Sequence, residues 1–173
     1  FYGLSSKVSS IQQAIVLLGL NTVKNLVVGV SVVKAFEDRG AASLFDREKF
    51  WVHTFATALG AKLMAKQFKR EEPEDYFLAG LLHDVGILVL DQFVHEEFVD
   101  VLKHAVNNEM DYNDAEKVRL GLTHGEVGEV LGERWKMPLT LVHCIRYHHH
   151  PVLTDPETAP NADHIAVVHL ADT

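Results

Sequence analysis

Basic residues are scarce in this 173-residue chain: 16 Lys and Arg stand against 24 Asp and Glu, a formal charge of −8. Phosphate backbones are bound by neutralising them with cations, so nucleic-acid binding is not expected. Cysteine is rarer still. Cys144 stands alone, which excludes an intrachain disulfide and suits a reduced, buried thiol of a cytoplasmic protein better than a nucleophile. Long apolar runs are also missing. The most apolar stretch, residues 23–36, is broken by Lys24, Asn25 and Lys34 and is too short to span a bilayer. The first residues carry no signal-peptide pattern, and no membrane association is expected. No segment alternates apolar and polar residues as a half-buried strand would, and no internal repeat is visible.

What is present is a 47% hydrophobic composition, enough for one domain with a substantial core, and a surplus of 11 histidines. The apolar residues recur at helical spacing throughout. Ser9 or Ser10 caps a first helix through Ile11, Ala14, Ile15 and Leu18, which Gly19 stops. Asn21 is the expected cap of a second, with Val23, Leu26, Val27, Val30 and Val33 turned inward. Such a closely linked pair resembles a helix-turn-helix, but its second member is poor in arginine. After a small-residue linker at 40–43, Asp46 caps a long helix to about Phe68. The run Glu71-Glu72-Pro73-Glu74-Asp75 is a favourable helix start. Shorter helices follow over residues 87–93, 95–106 and 114–120. Thr123 and Glu126 form a capping box, Pro138 suits a first helical turn, and a last helix covers Ala162–Asp172. The fold class expected is all-α, a compact orthogonal bundle: a pair at 1–40 packed on a core at 44–173.

The chemistry concentrates at Gly80-Leu81-Leu82-His83-Asp84-Val85-Gly86, where an imidazole and a carboxylate end an apolar run. A buried carboxylate needs a partner or a metal. Other donors sit in similar places. His53 lies one turn into the long helix, though a core histidine bonded to a carbonyl would look the same. His124 follows a helix start and on its own reads as exposed. His148 and His149 close a helix, where the dipole favours them anyway. Asp172 ends the last apolar helix and would serve equally as a capping carboxylate. His169 shares a helical face with Asp172 but stays outside the expected ligand set. His95, His104 and His143 read as surface or ordinary core residues.

The order His53, His83-Asp84, Asp172 resembles the metal-binding pattern of the HD-domain superfamily. The chain is similar in particular to its HDOD subgroup, through Phe1-Tyr2-Gly3-Leu4, Ala14-Ile15-Val16-Leu17-Leu18-Gly19, the His-Asp stretch and Trp135-Lys136-Met137-Pro138. The resemblance covers nearly the whole chain and implies that the family's first helices are absent. It further implies that His53, His83, Asp84 and Asp172 converge. His124, His148 and His149 fall where the related HD-GYP phosphodiesterases hold a second metal, with Asp84 as bridging carboxylate. Such a set suits one or two ions of iron, manganese, zinc or nickel better than calcium. The phosphodiesterases carry lysine after the glycine of the His-Asp motif, where this chain has Ile87. Their His-His-Glu and Gly-Tyr-Pro elements are missing as well. The function implied is a regulatory, protein-interaction domain of bacterial signal transduction, its partners response regulators, kinases or cyclic-dinucleotide enzymes. The alternative is a metal-dependent phosphohydrolase acting on a (cyclic) nucleotide or another phosphate ester.

Overall fold

The computed structural model describes residues 10–36, 45–151 and 160–173, and the motif at residues 1–4, the 40–43 linker and the loop at 152–159 lie outside them. Ten helices and no strand occur among the described residues. They are α1 (Ile11–Leu18), α2 (Leu20–Ala35), α3 (Arg47–Gln67), α4 (Pro73–Leu82), α5 (Val85–Phe93), α6 (His95–Asn107), α7 (Tyr112–Leu120), α8 (His124–Arg134), α9 (Leu139–Tyr147) and α10 (Ala162–Asp172).

Local chemistry accounts for most boundaries. The Ser10 hydroxyl accepts from the Gln13 amide, Asp46 from the Lys49 amide, and the Thr123–Glu126 capping box is complete. Four helix starts differ from the sequence pattern. Helix α5 begins at Val85, two residues ahead of Ile87, and Pro138 caps α9 from just outside its first turn. The second helix begins at Leu20 with Gly19 at φ 86° as its cap, so Asn21 is an exposed first-turn residue. Gly19 thus ends one helix and starts the next, which only its left-handed freedom allows. The seventh helix starts at Tyr112, capped by Asp111, two residues ahead of Asp114.

Which faces are buried also differs. On α2 the inward residues are Thr22, Asn25, Gly29 and Val32, while Val27 and Val30 are 60% and 54% exposed. Close approach explains this: a Cβ on Gly29 would stand 2.7 Å from Leu81 Cδ2 of α4. Asn25 adds hydrogen bonds from its amide to the Glu74 carbonyl and to Asp75 Oδ1, each 3.0 Å. On α3, Phe55 and Leu63 face outward, whereas Thr54, Thr57, Ala58, Ala61 and Ala65 are buried. Small residues let α4 lie directly on α3.

Helices α4 and α5 form the centre. Against the sequence reading that long apolar runs are missing, the segment Pro73–Phe93 is long and apolar enough to cross a membrane, but most of it is buried inside the bundle. The glycines at its middle decide its neighbours. A Cβ on Gly80 would meet the Ala58 backbone of α3 at 2.8 Å, and one on Gly86 would meet the His124 carbonyl oxygen of α8 at 1.9 Å. Gly80 and Gly86 therefore seat His83 and Asp84 between the helix bearing His53 and the helix bearing His124. Arg47 ties the periphery in, donating to the Phe36 carbonyl and to buried Asp91, which also faces His95.

Candidate metal centre

All seven residues anticipated as ligands meet at the α4–α5 break. One set is His53, His83 and Asp172; the other is Asp84, His124, His148 and His149. Asp84 faces both. Its Oδ1 lies 3.3 Å from Nε2 of His124 and of His148, while Oδ2 lies 3.2 Å from His83 Nε2 and 3.6 Å from His53 Nε2. Asp172 Oδ1 is 2.9 Å from His53 Nε2 and 3.1 Å from His83 Nε2. His149 reaches the other set through Nε2, 3.1 Å from His124 Nε2.

Two burials depart from the sequence reading. His124 is 1% exposed rather than a surface residue, because the Gly86 contact presses α8 onto α5. His53, expected inside, has a side chain 44% exposed, because it stands at the open edge of α3.

The imidazoles are held in one orientation. His83 Nδ1 donates to the Gly80 carbonyl at 2.7 Å, and His148 Nδ1 to the Ile145 carbonyl at 2.9 Å. His124 Nδ1 and its backbone amide both donate to Glu116 Oε2, each at 2.7 Å. With Nδ1 occupied as donor, each neutral ring turns the Nε2 lone pair inward. His124 Nε2 then confronts His148 Nε2 at 3.2 Å and the orphaned, buried Asp84 Oδ1. Lone pairs converging on an unpartnered carboxylate oxygen repel one another unless cations lie between them. Protons or metal ions can do this, and the donor set fits borderline transition metals.

Protons alone leave strong mutual charging. Burial disfavours the His83 cation, but the Asp84 charge and the contacts to Asp172 and Asp84 outweigh it and raise the pKa to about 10. His124 is raised to about 10 against the same burial, by Asp84 and Glu116. Asp84 lies well below the carboxylate range despite burial, because of the His83 charge and the His124 and His148 imidazoles that face it. Burial and the charge of its histidine neighbours instead push His149 down to about 3. His148 is lowered chiefly by burial.

Two supporting residues were not singled out as such from the sequence. Glu116 is fully buried and braces His124 from eight positions upstream; the clue available was that a ligating histidine usually donates to a carboxylate. His169, placed correctly on the Asp172 face, donates from Nδ1 to the His148 carbonyl at 2.6 Å and so positions that ligand's backbone. A cavity of about 500 Å³ opens over the centre, lined in part by Phe45, Phe50, His53, Ile87, Tyr112 and Asp172.

The HDOD domain model matches residues 1–151. The chain belongs to the HDOD family. An HDOD domain protein of unknown function from Geobacter sulfurreducens has the same fold, with TM-score 0.84 and 29% identity over 99% of this chain and 56% of that one. A "Putative phosphohydrolase" from Shewanella amazonensis SB2B follows at 0.79 and 30%, covering 96% and 58%. A "Putative signal transduction protein" from Marinobacter aquaeolei VT8 gives 0.77 and 26%, covering 98% and 38%. An uncharacterised protein of Treponema pallidum is 21% identical over 98% of this chain, which spans only 32% of that protein's length. The chain therefore spans only part of the length of each of these relatives.

Proposed function

We propose that this domain holds two divalent transition ions, of iron, manganese, zinc or nickel, bridged by Asp84, and acts as a regulatory, protein-interaction module in bacterial signal transduction. The observation that carries the metal is the convergence of lone-pair-forward imidazoles on the orphaned Asp84 Oδ1. His53, His83 and Asp172 would hold one ion, and His124, His148 and His149 the other. Signalling is supported by the likeness to the "Putative signal transduction protein" of Marinobacter, with response regulators, kinases or cyclic-dinucleotide enzymes as the partner class. The test is a binding assay of metal-loaded and metal-free domain against those proteins from the same organism. Metal-dependent binding supports the reading; no binding by either form overturns it.

A second reading is favoured by the cavity. About 500 Å³ of open space stands over the centre, beside the half-exposed His53. A metal pair there would supply an activated water and neutralise charge developing on a phosphoryl group. The domain would then be a phosphohydrolase, the class to which the description "Putative phosphohydrolase" assigns the Shewanella relative. Release of phosphate or alcohol from a panel of cyclic dinucleotides, nucleotides and simple phosphate esters by metal-loaded protein supports this reading. Silence across the panel removes it.

A further inference from the structure

Among the described residues lining the cavity, Lys49 is the one lysine or arginine. It precedes His53 by four positions on α3, so both side chains leave the same helical face, and both line the cavity. Helix stability does not account for a lysine there. Position 49 is in the first turn of a long helix, where the dipole disfavours a cation. Its ion pair with Asp46, 3.3 Å long, joins two open side chains, with Lys49 86% exposed, and such pairs contribute little. An open pair of this kind lets an arriving anion replace Asp46 at the ammonium at little cost.

The remaining wall has a different chemistry. Phe45, Phe50, Ile87 and Leu102 give it an apolar, aromatic lining. Tyr112, wedged against Phe98, joins that lining, and burial and the nearby Glu116 and Asp84 charges keep its phenol protonated, a donor rather than an anion. The cavity is therefore lined by candidate metal ligands, by an apolar and aromatic wall, and by one ammonium that is paired with Asp46.

We infer that Lys49 forms an anion subsite for a phosphate ester that carries a second anionic group and a flat apolar moiety. One phosphoryl group would sit at the metal ligands, the second anion at Lys49, and the apolar moiety against Phe45 and Phe50. This rests on the phosphate-ester reading of the site and adds to it a residue and a substrate class.

The experiment uses manganese-loaded protein, with metal content measured for each sample before and after titration. Binding of inorganic phosphate and of adenosine diphosphate is followed by calorimetry for wild type, Lys49→Gln and Lys49→Arg. With metal retained, Lys49→Gln weakens adenosine diphosphate about tenfold, inorganic phosphate less than about threefold, and Lys49→Arg restores the difference. Equal loss for both probes, no loss, or no binding of adenosine diphosphate by metal-loaded wild type overturns the subsite. Failure of wild type to take up manganese is a separate result, which overturns the metal reading itself.

Discussion

The two halves of the centre are built differently from the same kinds of side chain. His124 and His148 lie in the interior, one braced by Glu116 and the other by the Ile145 carbonyl, with His169 fixing the backbone behind it. His53 and Asp172 stand at helix edges, with side chains 44% and 12% exposed, and Asp172 is the last helical residue of α10. The inner half is preorganised by acceptors that belong to the core, so its imidazoles lose little freedom on binding. The outer half borrows its order from His83, which donates to Gly80 and faces both carboxylates. An inner ion is therefore expected to be structural and tight, and an outer ion exchangeable and open to the cavity.

The strongest way to break this contrast is to separate the halves. Gly86→Ala places a methyl 1.9 Å from the His124 carbonyl, so α5 and α8 must part. We expect a loss of about 3 kcal/mol in urea unfolding together with loss of the inner ion. Unchanged stability would show that the helix contact is not what holds His124.

Next in size is Glu116→Gln. The amide keeps the shape but removes the buried charge behind His124, and metal affinity of the inner half should fall about 10- to 100-fold in an indicator competition titration. His53→Ala should release only the outer ion. The metal-free protein should lose roughly 0.5 kcal/mol, since the side chain is largely open. Loss of both ions in that variant would mean that the halves are one cooperative unit.

Acidity probes both halves more gently. Ligation needs neutral imidazoles, and without metal His83 and His124 are raised to about 10 by the carboxylates that outweigh their burial. Metal uptake below that pH must therefore expel protons, up to about two per chain. Affinity should rise with pH, read as proton release in a weakly buffered zinc titration. In metal-free protein the sign is opposite. The raised pKa values stabilise the fold fully below pH 6.5, and that contribution is lost as pH climbs towards about 10.

Much of the fold is legible in the sequence alone. Capping signals at Ser10, Asp46 and Thr123 place three helix starts, and the resemblance to the HD-domain superfamily implies the convergence of the seven candidate residues that the structure brings together. What escaped reading was direction. Periodicity turned Val27 and Val30 of α2 inward, but the demand for close contact with α4 turned Gly29 and Asn25 there instead. Likewise His124 read as exposed, because nothing within its own helix reveals that Gly86 will press against it. Glu116 was invisible for a related reason. A glutamate in a polar helix has no local mark of burial, and its role exists only relative to His124.

The centre as a whole stands or falls on metal content. Protein prepared without a polyhistidine tag should carry about two transition-metal ions per chain, and the His83→Ala, Asp84→Ala double variant none, with helicity retained by circular dichroism. Wild-type protein holding no more metal than that variant would contradict the account.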